Sequence, residues 1–174
     1  MALTDYVYQC LQAIPDKRTS VAVVKAFERV WPRTRVANIT AAMTLNETAH
    51  EGKLLTVNSA AGIAIVLPAS TGQGARYRLF IGTTVTSSAT TIKVANASDI
   101  MIGTSITNAD DTASTAKIWK TGPTDDTISL DGTTTGGVKG DYIEIEDSAV
   151  NTWRVSIIGV ATGAQATPFS ATVS

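Results

Sequence analysis

Residues 51–85 read EGKLLTVNSAAGIAIVLPASTGQGARYRLFIGTTV. Apolar side chains recur at every second position in three runs, the spacing that places them on one face of a β-strand. The runs contain Leu55 and Val57, then Ile63, Ile65 and Leu67, then Tyr77, Leu79 and Ile81. Turn-forming Asn, Gly and Pro residues separate them. This stretch predicts three consecutive antiparallel strands with one buried face, which further strands or a partner chain must cover.

Further strand candidates follow this stretch, spaced about ten residues apart with turn residues between them. They are residues 90–96, 100–106, 116–121, 127–132, 141–147 and 152–161. Short strands at such intervals are typical of a β-sandwich or a barrel. The composition agrees, because the chain is rich in Thr, Val, Ile and Gly. The predicted fold class is mainly β, with an antiparallel β-sandwich or barrel-like body and a short, partly helical N-terminal arm.

The first 36 residues differ in charge from the rest of the chain. They hold six basic residues against three acidic ones, a net charge of +3, whereas the remainder carries −4. Apolar spacing predicts a helix at residues 4–14 and favours helix over strand at residues 21–31. We divide the chain into an N-terminal arm (1–36), a polar connector (37–50), and a β-rich body with an extended C-terminal tail (51–174).

The arm carries the residues that we expect to bind a partner. Phe27 and Trp31 supply apolar contacts, since a buried aromatic side chain commonly dominates an interface. Arg29, Arg33 and Arg35 pair with acidic positions around those contacts and set the orientation. Two helices of this size do not stabilise themselves alone. The arm therefore needs a surface, either on its own body or on a neighbouring subunit or partner.

Catalytic and metal-binding groups are sparse in the sequence. His50 is the single histidine, which excludes a His-based triad or a multi-His metal site within one chain. Glu144 and Glu146 share a strand face and could act as acid and base or hold a hard cation. Ile143 and Ile145 on the opposite face favour an ordinary half-exposed strand instead. We predict that the protein is not an enzyme and has no cofactor and no metal.

The segment TGQG (71–74) is a second candidate site, because Arg76 and Arg78 follow it. A phosphate-binding loop needs a helix to begin after its glycines. Here the apolar pattern predicts a strand. We therefore interpret these glycines as turn residues and predict no nucleotide site.

Several other ligand classes find no support in the sequence. The chain has a net charge of −1, and no strand interleaves aromatic with basic residues, which argues against nucleic acid. No stretch approaches the roughly 20 apolar residues of a membrane span, and the N-terminus lacks a signal-peptide pattern. Cys10 is the one cysteine, which excludes an internal disulfide. We expect no membrane, nucleic-acid or small-molecule partner.

Three segments resemble small virion structural proteins of tailed bacteriophages, of the type that decorates or cements the head. They are LPASTGQGARYRLFIGTTVTSSATTIKVANASDIMIG (67–103), DDTISLDGTTTGGVKGDYIEIEDSAVNTWRVSIIG (125–159) and ATPFSATVS (166–174). The resemblance spans about residues 51–174 and leaves residues 1–50 without a counterpart. It implies a β-rich subunit, commonly trimeric, on the major capsid protein at the outer surface of the phage head. It carries over no catalytic residues.

The expected function is therefore that of a non-enzymatic virion structural protein. It binds the major capsid protein as a homotrimer and stabilises the capsid, with several modest contacts acting as one multivalent attachment. The alternative is a tail or fibre module that binds host-surface glycan. In that case Trp119 and Trp153 are the candidate sugar-stacking residues, although each also fits a core position.

Overall fold

The computed structural model describes residues 36–110 and 115–173, which belong to the compact unit Val36–Ser174. The helices predicted at 4–14 and 21–31 lie outside the described residues. So do the predicted partner-binding residues Phe27, Arg29, Trp31, Arg33 and Arg35. Their roles stay predictions.

Twelve strands and one short helix make up the described residues. In chain order they are β1 (Val36–Ile39), β2 (Met43–Thr44), α1 (Glu47–His50), β3 (Leu54–Val57), β4 (Ala64–Val66), β5 (Arg76–Ile81), β6 (Thr90–Lys93), β7 (Ile100–Ala109), β8 (Ala116–Lys120), β9 (Thr127–Leu130), β10 (Tyr142–Ala149), β11 (Thr152–Ala161) and β12 (Phe169–Ser170). The six strand candidates predicted after residue 85 are all confirmed, as β6 to β11.

The strands form two mixed sheets. One has seven strands in the order β1-β3-β5-β10-β11-β7-β8, and the other has five in the order β12-β9-β6-β4-β2. The predicted mainly β class is confirmed. The antiparallel arrangement is wrong, because five of the neighbouring pairs are parallel, and neither sheet closes into a barrel.

The chain crosses from one sheet to the other after each of its first six strands. In the seven-stranded sheet β1, β3 and β5 pair in parallel, so that Val36, Leu54 and Arg78 stand side by side. In the five-stranded sheet β2, β4 and β6 are also parallel neighbours. This part of the chain therefore winds through three similar coils, and each coil adds one strand to each of the two sheets.

The pairing predicted for residues 51–85 is wrong for this reason. β3 and β5 are neighbours, while β4, which lies between them in sequence, belongs to the other sheet. The predicted alternation is confirmed, since Leu55, Ile65 and Leu79 are all fully buried. A period of two decides which face a side chain takes, but it does not decide which strand lies alongside.

The later strands complete the seven-stranded sheet, with β10 and β11 in its middle. β10 lies antiparallel between β5 and β11, with a bulge between Asp147 and Ala149. β11 pairs in parallel with β7 over ten residues. At Gly103 the two strands approach so closely that a Cβ atom would lie 1.8 Å from the carbonyl oxygen of Val155. β8 forms the outer edge of the sheet and pairs antiparallel with β7.

Residues outside the predicted strands also contribute to the body. The segment predicted as a polar connector, 37–50, contains most of β1 together with β2 and α1, and its Ile39 and Leu45 are buried. The C-terminal tail, predicted to run extended over another surface, pairs with β9 through β12. Phe169 of this strand is only 6% exposed. The tail therefore packs on its own body.

A single cluster of buried apolar side chains receives residues from both sheets. Its largest members are Trp153 and Tyr77, whose ring centroids lie 5.9 Å apart. Each fully buried aliphatic side chain stabilises the fold by roughly 1.5 to 3 kcal/mol relative to an exposed one. The expectation that Ile65, Leu79 and Ile81 share one core with Leu67 is confirmed.

Truncation of the core tests this packing. We expect Leu79→Ala or Ile81→Ala to lower the free energy of unfolding by about 2 to 5 kcal/mol, because each leaves a cavity at a fully buried position. Chemical denaturation measures the change. The matched control is Ile118→Ala, at a side chain that is 70% exposed, where we expect a change within about 0.5 kcal/mol. Equal losses at Ile81 and Ile118 would contradict the assignment.

Candidate functional site

Four aspartates among the described residues are buried, each at most 2% exposed: Asp99, Asp126, Asp141 and Asp147. A buried carboxylate is costly unless it is hydrogen-bonded. Each of the four accepts backbone N–H groups, for example from Ser70 at Asp99 and from Thr172 and Val173 at Asp126. These carboxylates therefore fasten loops and the C-terminal tail to the sheets.

Asp147 of β10 shows this arrangement most fully, because its carboxylate binds the loop that contains TGQG. Its carboxylate accepts the backbone N–H groups of Thr71, Gly72 and Gln73 at 3.1, 2.8 and 3.1 Å. It also accepts the hydroxyl groups of Ser70 at 2.6 Å and Thr71 at 3.0 Å. Convergent N–H groups form an anion-binding concavity. The anion bound here is the chain's own carboxylate, and strand β5 rather than a helix follows the loop.

The surroundings of Asp147 and Asp141 shift the pKa values of these two carboxylates in opposite directions. Burial raises the pKa of Asp147, but the hydrogen bonds from Ser70 and the loop N–H groups outweigh it and lower the pKa to about 2. At Asp141 burial dominates, and the pKa is raised despite N–H donation from Val160 and Gly137. Asp141 fits there because residue 159 is Gly, whose Cβ position would lie 2.8 Å from the Asp141 carboxyl carbon.

The two glutamates singled out from the sequence lie on the outer face of β10. Glu146 accepts hydrogen bonds from Arg76 at 2.6 Å and from Arg154 at 3.4 Å, and its pKa is lowered chiefly by the hydrogen bond from Arg76. Glu144 stands opposite Arg78 in the neighbouring strand. Both side chains are half-buried while Ile143 is fully buried. The half-exposed strand interpretation is confirmed.

His50 lies in α1 rather than in a loop. Its Nδ1 accepts the backbone N–H of Asn46 at 3.0 Å, while the Asn46 side chain accepts the N–H of Ala49 at 2.8 Å. These reciprocal bonds satisfy donors at the start of the helix. In residues 36–110 and 115–173 no three His, Cys, Asp or Glu side chains come together in a way that could hold a metal ion.

The two tryptophans weighed as sugar-stacking residues differ in accessibility. Trp153 is fully buried in the core. Trp119 lies on the edge strand β8 and is half-buried, with the Lys117 ammonium 5.8 Å from its ring centroid. Only Trp119 is therefore placed to contact a ligand. Within the described ranges no helix is long and apolar enough to cross a membrane.

The outer face of the seven-stranded sheet carries an exposed row of apolar side chains. The row crosses five adjacent strands, and its members stand directly opposite one another: Phe80, Tyr142, Ile158, Ile106 and Ile118. The three isoleucines are 60%, 42% and 70% exposed. We call these five residues the apolar row. Single exposed apolar residues are ordinary, but a contiguous set on one face marks an interaction surface.

Charged side chains run beside the apolar row on the same face. Three of them lie two residues along their strands from a member of the row: Arg78, Glu144 and Lys120. Three more lie four residues away: Arg76, Glu146 and Arg154. We call these six residues the charged band. It contains four cations and two carboxylates, one of which is held by two arginines. The face therefore combines an apolar row with a net positive flank.

The sequence contains a signal for the apolar outer face, but alternation at every second residue does not reveal it. A half-exposed strand has apolar residues at alternate positions only. β7, β8 and β11 instead carry adjacent apolar pairs: Met101 and Ile102, Ile118 and Trp119, Ile157 and Ile158. In the pairs of β7 and β11 one member is buried and the other exposed, and in β8 Trp119 is half-buried beside exposed Ile118. Doubled apolar positions thus mark strands with two apolar faces.

The buried aspartates also change the charge argument for the arm. The net charge of −4 that opposes the +3 of the arm belongs to residues 37–174. Four of the body's carboxylates are buried and bound by backbone N–H groups. Less of the acidic charge therefore lies on the surface than composition indicates.

Comparison with known proteins returns no match for this chain: no family model, no curated protein and no solved structure. Any function proposed for the chain therefore depends on its residues, on their geometry and on the resemblance stated from the sequence.

Removal of the Asp147 charge gives a pH-dependent test. Its pKa of about 2 lies below the ordinary 3.8, so the ionised carboxylate adds stability that is present above about pH 5 and lost as pH falls through 2. We expect Asp147→Asn to lower the free energy of unfolding at pH 7 by about 2 kcal/mol. The deficit should shrink steadily between pH 5 and pH 2.

The matched control for this change is Glu144→Gln on the outer face of β10. Glu144 accepts no hydrogen bond from the described residues, and we expect its change to stay within about 0.5 kcal/mol at every pH. Urea denaturation across this pH range measures both variants. A deficit for Asp147→Asn that does not vary with pH would contradict the role assigned to its charge.

Proposed function

We propose that this protein is a non-enzymatic virion structural protein with a β-sandwich body. It binds the major capsid protein on the outer surface of a tailed-phage head and stabilises the capsid. The apolar row carries the proposal, because interfaces between proteins have an apolar centre surrounded by a polar rim. The resemblance of residues 51–174 to head decoration proteins supplies the identity of the partner.

The internal anchoring of the loops supports this proposal. Asp99, Asp126, Asp141 and Asp147 each bind backbone N–H groups of loop or tail residues. A surface that is already ordered loses little conformational entropy on binding, so more of its contact energy appears as affinity. A preorganised body suits a protein that holds other subunits in place.

The apolar row of one copy is small, and a trimer would compensate for this by binding the head through three rows at once. Each copy presents one row, and a homotrimer presents three at fixed separation. Linked contacts gain roughly 10² to 10⁴ over a single contact when the geometry allows simultaneous binding. We therefore propose that the homotrimer is the unit that attaches to the head.

The glycan-binding alternative has weaker support from the structure. Sugar-stacking sites need exposed aromatic faces, and Trp153 lies in the core. Of the two tryptophans weighed for this role, Trp119 remains, half-buried at the edge of the sheet. The apolar row consists mainly of isoleucines, which suit a protein surface better than a sugar.

Particles that lack the chain test the proposed function. We expect purified particles of the phage that encodes it to contain the chain, and particles assembled without it to release their DNA at a lower temperature. Protein mass spectrometry and a dye-binding melt of the particles measure these outcomes. Particles that contain no such chain would contradict the proposal, as would equal release temperatures.

Truncation of the arm tests the predicted partner-binding residues separately. The deletion should remove residues 1–35, because β1 begins at Val36. We expect lower occupancy on particles assembled without the chain, while the thermal unfolding of the body changes little. Unchanged occupancy would contradict the role of Phe27, Trp31 and the arginines. Loss of the folded body would show that the arm is needed for its stability.

A further inference from the structure

We infer that the apolar row and the charged band together recognise a protein surface that has apolar side chains at its centre and carboxylates along one side. This inference rests on the proposed function, since it names the chemistry of the capsid-protein surface that the body contacts. It assigns that recognition to the seven-stranded sheet in addition to the arm.

The geometry of the apolar row suits the centre of a protein interface. Neighbouring strands lie about 4.8 Å apart, so a row across five strands is about 19 Å long. Phe80 and Tyr142 are half-buried at one end, and Ile118 is 70% exposed at the other. Because β8 is the edge strand, a partner reaches Ile118 both from above the sheet and from its side. The strongest anchoring is expected at this end.

Two of the four cations in the charged band form no salt bridge with the described residues. Glu146 is bound by Arg76 and Arg154. Arg78 donates a hydrogen bond to the carbonyl oxygen of Gly52, and among the described residues neither Arg78 nor Lys120 forms a salt bridge. Both lie two residues along their strands from members of the apolar row. Carboxylates of a partner placed there would gain charge-assisted hydrogen bonds.

The same charges make other occupants less favourable. In a symmetric contact between two copies whose charged bands face each other, four cations of one copy would lie against four of the other. Such like-charge contacts oppose association. Nucleic acid would meet the isoleucines of the apolar row, which offer no hydrogen bonds to phosphates. A protein surface with an acidic flank fits both parts of the face.

Two pairs of substitutions test the two parts of the face. The first is Ile118→Ser with Ile158→Ser, and its control is Val150→Ser, at a side chain that is 66% exposed in the β10–β11 turn. The second is Arg78→Glu with Lys120→Glu, and its control is Lys93→Glu on the five-stranded sheet. The altered row and band positions are on the surface, so we expect thermal unfolding to stay near that of the wild type.

Rebinding of the full-length protein to particles assembled without it, measured across a series of salt concentrations, gives the readout. We expect the isoleucine pair to weaken binding by at least about tenfold, since such residues would lie at the interface centre. The charge-reversal pair should weaken binding most at low salt, and its salt dependence should be flatter than that of the wild type. Both controls should stay within about twofold of the wild type.

The outcomes separate this inference from the proposed function. If the wild type binds particles and both pairs bind as well as their controls, the inference is overturned while the proposed function stands. If the wild type binds no particle, both fail. Loss of the oligomer in either pair, seen by sedimentation, would assign the face to subunit contacts and overturn the inference. Tight DNA binding abolished by the charge-reversal pair would overturn it in favour of nucleic acid.

Discussion

The body depends on one core that two sheets build together. Because consecutive strands up to β6 belong to opposite sheets, neither sheet can bury its apolar face until the chain has crossed to the other. Leu55 of β3 and Ile65 of β4 belong to the same core although their strands lie in different sheets. Such a core requires many contacts between residues distant in sequence, which is typical of slow-folding, cooperative β proteins. None of this packing among residues 36–110 and 115–173 uses the exposed isoleucines on the outer face of the seven-stranded sheet.

Polar groups inside the body and those on its outer face have different roles. Inside the body, buried carboxylates such as Asp141 and Asp147 bind loop N–H groups and so order the connections between strands. On the outside, Arg78 lies beside Phe80 on β5 and Lys120 lies beside Ile118 on β8, and neither cation forms a salt bridge among the described residues. The buried carboxylates make the surface rigid. The surface cations leave hydrogen-bond donors that a partner can use. A structural protein that attaches to a larger assembly needs both properties.

The sequence predicted where the strands lie far better than which strands pair with each other. Alternation at Leu55, Leu79 and their counterparts identified buried faces, since side-chain direction is a local property of a strand. Pairing is not local, and the same alternation fits a hairpin or a crossing between sheets, so the antiparallel prediction was wrong. The buried state of Asp147 was missed because burial of an aspartate depends on donors from the distant loop 70–73. The apolar row was missed because only the register of β11, β7 and β8 brings Ile158, Ile106 and Ile118 together.

The most direct test of the central claim is a density map of the intact particle at a resolution that identifies side chains. The account predicts β-rich density in threefold groups on the outer surface of the head, with Ile106, Ile118 and Ile158 against the major capsid protein and acidic side chains near Arg78 and Lys120. Density for the body at the tail, or on the head with the apolar row facing solvent, would contradict it.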